Sequence, residues 1–185
     1  QTVHPLGYLV AEVWKGEDDI AAEAYGSSLQ PGVCSAFDFP MRYRIVQTLA
    51  AEEDKAVFDR NASTLIEGFA THDAYPEHAI PNGFLTNHDL VRFGDLLQRA
   101  DLAQPAEEEY WLRYQAAYAF LAAYSGPITL YYGEEIGQEV PGFDDRVSSS
   151  TCAEQGLCDD HVACTTALID GLPSQSGEAA FELDD

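Results

Sequence analysis

Four short apolar runs punctuate the chain, and each one ends in a polar cluster. They are Gly7-Tyr-Leu-Val-Ala-Glu-Val-Trp14, Ser35-Ala-Phe-Asp-Phe39, Gly83-Phe-Leu-Thr-Asn-His-Asp89 and Pro127-Ile-Thr-Leu-Tyr-Tyr132. Runs this short and this apolar predict strands buried on both faces, as in a parallel sheet. Helical patterns lie between them. Arg42 to Ala51 follows Pro40, Asp54 to Gly68 offers a second helix ending at a glycine, and Pro105 to Tyr124 opens on a proline and three glutamates. Negative charge in the first turn suits a helix N-terminus. In that last segment Tyr110, Trp111, Tyr114, Ala117, Tyr118 and Leu121 recur at helical spacing. The uncharged stretch from Tyr114 to Gly133 is long enough to span a membrane, but Ser125-Gly126-Pro127 divides it. It reads as a buried helix, a tight turn and a buried strand.

Alternation of strand and helix is the order of a parallel sheet with right-handed crossovers. In such folds the chemistry gathers at the C-terminal ends of the strands. Those ends here are Glu12-Val-Trp14, Asp38-Phe-Pro40, Asn87-His88-Asp89 and Tyr132-Gly-Glu134-Glu135. Glu12 and Asp89 close different strands and should face one mouth. A carboxylate at the end of an apolar strand is costly to bury, and two acids beside an aromatic-lined cleft suit glycosidic bond cleavage. No phosphate-cradling glycine loop follows any strand, which argues against dinucleotide binding. Taken singly, Trp14 and Tyr132 read as core, His88 as a hydrogen-bonded structural residue, and Asp159-Asp160-His161 as an exposed loop. No metal ligand set stands out.

Composition narrows the partners. With 32 acidic against 9 basic residues the 185-residue chain carries a net charge of −23. That repels nucleic-acid phosphates and anionic membranes, so neither is an expected partner, whereas a neutral glucan meets no such penalty. The acidity itself reads as a solubility feature or an adaptation to salt water. The four cysteines admit three pairings. Cys152 and Cys158 are spaced for a small loop-stapling disulfide, while Cys34 and Cys164 are either a long-range pair or buried free thiols. With the Asn61-Ala62-Ser63 sequon, they lean toward an oxidising compartment. No signal peptide is visible in this segment, since Gln1 leads almost directly into a strand pattern. From residue 141 to 185 the pattern dissolves into Gly, Ser, Pro and acidic residues. It reads as a long loop, with cysteines spaced for a disulfide staple, behind a body spanning 1–140.

The strand-end motifs together resemble the α-amylase family of glycoside hydrolases. Leu9-Val-Ala-Glu12-Val-Trp14 is similar to the family's fifth-strand motif, and Phe37-Asp38-Phe39-Pro40 to a segment around strand six. Phe84-Leu-Thr-Asn-His-Asp89-Leu-Val-Arg92 resembles the seventh-strand motif, and Ala123 to Gly137 the eighth strand and its approach. The resemblance implies an α/β fold, a (β/α)8 TIM barrel of which this chain supplies strands five to eight. It also implies a retaining hydrolase of α-1,4-glucosidic bonds in starch or maltodextrins, secreted to the cell exterior. In that scheme Glu12 is the general acid/base and Asp89 stabilises the transition state, while His88, Asn87, Arg92 and Trp14 contact substrate. The family's nucleophile, an Asp on strand four, is not among these residues, and neither is the protruding domain that often binds calcium. No cofactor is therefore expected within this segment, although the full-length enzyme has room for calcium. The isolated fragment is expected to be inactive. Sibling activities are an α-glucosidase, a neopullulanase-like hydrolase or a transglycosylase, and a non-catalytic sugar-binding relative is the rival of another class.

Overall fold

The computed structural model describes residues 7–50, 61–124 and 126–140. Strand β1 (Val10–Ala11) runs parallel to β2 (Ser35–Ala36), with Val10 opposite Ser35 and Ala11 opposite Ala36. Parallel bridges Phe37–Asn82 and Gly83–Ile128 extend this pair across the third and fourth apolar runs. The ladder is carried by Phe37 N–H to Ala11 O (3.0 Å), Asn82 N–H to Ala36 O (2.8 Å) and Thr129 N–H to Gly83 O (2.9 Å). All four predicted strand segments therefore lie side by side in chain order and point the same way.

Helical segments α1 (Glu17–Ile20), α2 (Phe39–Leu49), α3 (Ser63–Thr71), α4 (Phe93–Arg99) and α5 (Glu108–Ala123) fill the connections. A wider helical turn over Ala21–Tyr25 prolongs α1. Helix α2 starts three residues earlier than the pattern predicted. Asp38 accepts the Met41 N–H at 3.2 Å and caps it, and Pro40 sits in the first turn, where its missing N–H costs nothing. Helix α3 runs past Gly68 instead of ending there. A Cβ at position 68 would stand 2.8 Å from Met41 Sδ and 3.2 Å from Arg44 Cγ, so this glycine lets α3 lie close on α2. Residues 54–60 of that predicted helix, and the whole 141–185 loop with Cys152, Cys158 and Cys164, lie outside the described residues.

Helix α5 follows the predicted stripe: Tyr110, Tyr114, Ala117 and Leu121 are buried. They pack with Met41, Ile45 and Val46 of α2, Phe93 and Leu97 of α4, and Leu85 of the third strand into one core. Arg113 bridges elements, pairing with Glu109 one turn back and donating from Nη1 to the Leu49 carbonyl at 2.7 Å, at the C-terminus of α2. That carbonyl is one of those an α-helix leaves without an internal partner. Arg42 does similar service, buried and donating from Nε to Leu85 O at 2.9 Å.

The expectation of strands buried on both faces holds only in the interior of the row. Residues Asn82 to Asn87 are buried, but Tyr8, Leu9, Ile128 and Leu130 are exposed. These last four belong to the two outermost segments, which have a neighbour on one side only among the described residues. The buried-strand reading of 127–132 is corrected accordingly. Cys34 is exposed, which removes the buried-thiol alternative for it. Among the described residues no helix is long and apolar enough to cross a membrane.

Candidate active site

Because the strands are parallel, the residues that follow them emerge at one end of the sheet. Glu12 follows β1 directly and is exposed, not buried as its place in an apolar run suggested. The strand ends there, and the side chain is left open to solvent. Its Oε1 accepts a hydrogen bond from Asn87 Nδ2 at 3.0 Å. The other face of the same amide, Asn87 Oδ1, accepts the backbone N–H of Asp89 at 2.9 Å. One buried side chain thus joins the two carboxylate-bearing strand ends, which lie 77 positions apart in sequence.

Asp89 is partly exposed, and His88 Nε2 lies 3.2 Å from its Oδ1. The His88 side chain is half exposed to the mouth. Trp14 presents about half its surface to solvent and stacks on Phe39, with centroids 5.7 Å apart and planes 10° from parallel. Beside it opens a cleft of about 550 Å³ lined by Trp14, Lys15, Phe39, Tyr43, Arg44 and Thr71. A half-exposed indole on a rigid aromatic support is a ready platform for the apolar face of a sugar ring.

Arg92, unlike Glu12 and His88, is buried. It is 1% exposed, donates from Nη1 to Tyr132 O at 2.9 Å, and stacks its guanidinium over Tyr131 and Tyr132 at 4.7 and 5.1 Å. This clamps the third strand's exit to the turn after the fourth. That turn is shaped by Gly133, whose φ of +82° and proximity to Gln138 exclude a side chain.

Asp38 also closes a strand, yet it is 2% exposed and turned away from solvent. Besides capping α2 it meets His72 Nε2 at 2.6 Å, and the Tyr124 hydroxyl meets the same ring. Nothing in the sequence signals this chain of three groups, since Asp38 and His72 are 34 positions apart.

Three further acids, Glu134, Asp95 and Glu139, are buried; the sequence placed Glu134 at a strand end but gave none of the three a role. Burial holds the Glu134 carboxyl above the usual range, although the Thr86 and Tyr118 hydroxyls face it and the Tyr131 N–H donates to it at 3.0 Å. Asp95 is pushed up to about 6 by burial, against a 2.8 Å hydrogen bond from the Val140 N–H. Glu139, which accepts from the Tyr110 hydroxyl and from Gln98, is raised by burial to about 7. Among the described residues no group of three or more His, Cys, Asp or Glu is arranged to hold a metal ion.

Parallel strands connected by helices, with two linked carboxylate-bearing loops following the strand ends, define an α/β protein with its candidate site at the C-terminal ends of the strands. The chain belongs to the α-amylase family: the family described as alpha amylase, catalytic domain, a (β/α)8-barrel family of glycoside hydrolases, matches residues 2–165. It is similar to AmyP, whose structure with maltose shares 56% identity and a TM-score of 0.80. That match covers 96% of this chain and 35% of AmyP. A Glu-to-Gln variant of AmyP in complex with maltotriose matches at 54% identity and a TM-score of 0.78, over 96% of this chain and 36% of that one. The α-amylase from Geobacillus thermoleovorans complexed with acarbose shares the fold, at 24% identity and a TM-score of 0.54 over 72% of this chain and 27% of that one. The chain thus spans about a third of the length of AmyP. No curated protein sequence matches it.

Proposed function

We propose that this chain is the acid/base-bearing part of a retaining hydrolase that cleaves α-1,4-glucosidic bonds in starch or maltodextrins. It corresponds to strands five to eight of the barrel. The observation that carries the reading is the Asn87 bridge, which draws Glu12 and the Asp89 loop together at one mouth. The maltose and maltotriose complexes of AmyP support the substrate class.

In this reading an Asp from outside these 185 residues attacks the anomeric carbon, with its carboxyl ~5 Å from that of Glu12, as retention requires. Glu12 gives its proton to the glycosidic oxygen as the C–O bond breaks, then takes one back from the water that cleaves the glycosyl-enzyme. Asp89 opposes the positive charge on the sugar ring in both steps, and the exposed His88 and Trp14 hold sugar hydroxyls and a ring face. Arg92 serves beneath the site, as the clamp between the two strand exits, and does not touch substrate. Calcium, where the full-length enzyme holds it, enters none of these steps. An enzyme for polymeric starch acts where the polymer is, and secretion belongs to the same reading.

Glu12→Gln in the full-length enzyme keeps the shape of the side chain and the Asn87 contact but has no proton to give. Turnover of soluble starch, followed by release of reducing ends, should fall ~10²–10⁴-fold with an unchanged melting temperature. Retention of more than roughly a tenth of the activity would take the acid/base role from Glu12.

A further inference from the structure

The same amide that marks the mouth also distinguishes the two oxygens of Glu12. We propose that Asn87 is a positioning residue: it reserves Oε1 of Glu12 as an acceptor, so that the transferable proton resides on Oε2. The proposal rests on the acid/base reading of Glu12 and adds to it the atom that acts.

The argument begins with the orientation of the Asn87 amide. Its oxygen and nitrogen are nearly alike in shape, so their assignment must come from their partners. The Asp89 backbone N–H can only donate, and the group facing it at 2.9 Å must therefore be the amide oxygen. The nitrogen is then turned to Glu12 Oε1 at 3.0 Å. Asn87 is 6% exposed, so the alternative orientation would leave a buried N–H against a buried N–H with little water to relieve it.

A carboxyl oxygen that receives a donor is the carbonyl-like one of a protonated acid, and the proton goes to its twin. Glu12 is exposed, and the Asn87 contact is the hydrogen bond the structure gives it among the described residues. Oε2 is thereby left to face a leaving group. After proton transfer the amide remains as a donor to Oε1. The titratable groups on the same mouth are His88 and Asp89, paired at 3.2 Å, while Lys15 is engaged by Glu23 at 2.6 Å. Asn87 therefore makes a neutral contact to Glu12 in a neighbourhood of charges.

Asn87→Asp in the full-length enzyme isolates the claim, because a carboxylate still accepts the Asp89 N–H but gives nothing to Glu12. The expected result is a kcat on maltodextrin lower by ~10²-fold, as for a misplaced catalytic group. KM should change little, and the alkaline limb of kcat/KM should move up by about one pH unit from the like charge beside Glu12. The deficit should shrink on an aryl α-maltoside whose phenol is acidic enough to leave without help. Asn87→Ser is the second variant: its hydroxyl accepts the same N–H but is too short to reach Glu12. It should repeat the fall in kcat with a smaller movement of the limb.

If both variants keep near-normal kcat and an unmoved limb, Asn87 merely closes the loop and the proposal fails. A raised KM at unchanged kcat would instead make Asn87 a sugar contact, and would equally overturn it. These outcomes are separable from failure of the underlying reading, which shows as an active Glu12→Gln enzyme whatever position 87 does.

Discussion

At the scale of single residues, Asp89 carries a prediction distinct from that for Glu12. Its carboxylate lies 3.2 Å from His88 Nε2 and is partly exposed to the mouth. In the proposed function it opposes a charge that exists only as the glycosidic bond breaks. Asn at this position keeps the shape and can still meet His88, but it has no negative charge. Interactions made only in the transition state appear in kcat and leave KM nearly untouched. Asp89→Asn should therefore lower kcat on maltodextrins by on the order of 10²–10³-fold, a size typical of losing one preorganised electrostatic group. Steady-state kinetics across a range of maltodextrin concentrations check this, and a defect confined to KM would remove Asp89 from that role. Both acids were legible in the sequence because each breaks an apolar run at its C-terminal end. The link between them was not. Asn87 reads as one more polar residue in a strand-end cluster until the third strand is laid beside the first two. Arg92 differs in another way. Its place in the same motif pointed to the substrate, whereas its burial and its contact with the Tyr132 carbonyl were not legible in the sequence.

At the scale of elements, the strands were legible and the helix boundaries less so. Short apolar runs leave few alternatives to a strand, whereas α4 spans only Phe93–Arg99 with Gly94 inside it and shows no start signal. Gly68 reads as a stop in sequence but is a packing site in the fold, because the backbone of α3 needs room against Met41. Asp38 makes the same point chemically. It ends a strand as Glu12 does, but it is enclosed, capping α2 and holding His72 at 2.6 Å. Its work is to fasten α2 and the turn after α3 to the end of β2. Asp38→Ala removes a helix cap, worth about 1 kcal/mol, and strands a part-buried imidazole. Chemical denaturation of the full-length enzyme should show a loss of roughly 2–4 kcal/mol. Asp38→Asn, which still caps, should lose less. A kcat collapse without a stability loss in Asp38→Asn would instead mark Asp38 as part of the chemistry.

At the scale of the whole molecule, the acidity has two components that respond differently to their surroundings. Part of the net charge of −23 sits on exposed acids, and their mutual repulsion weakens in salt. Asp95 and Glu139 are different: both are 3% exposed and are held near 6 and 7 by burial. For these groups the folded state binds the proton more tightly than the unfolded chain does. Both states are protonated well below pH 4, so the acids then contribute no difference. As pH rises from about 4 toward 7, the unfolded chain releases protons that the fold retains, and stability falls through that window. For Asp95 the rise from 3.8 to about 6 corresponds to about 3 kcal/mol once the pH is above the folded value. The full-length enzyme should therefore melt at a higher temperature near pH 5.5 than near pH 8. Molar NaCl should remove the surface share of that slope but leave the buried share, because screening does not reach groups enclosed by Tyr110, Gln98 and the Val140 backbone. Asp95→Asn and Glu139→Gln should each flatten the slope that survives in salt, since an amide has no proton to lose. Calorimetric melting of the three proteins across pH 5.5 to 8, in low and molar salt, separates the two components. A slope that vanishes in salt for the unmodified enzyme would place all of the pH dependence on the surface and none on this buried pair.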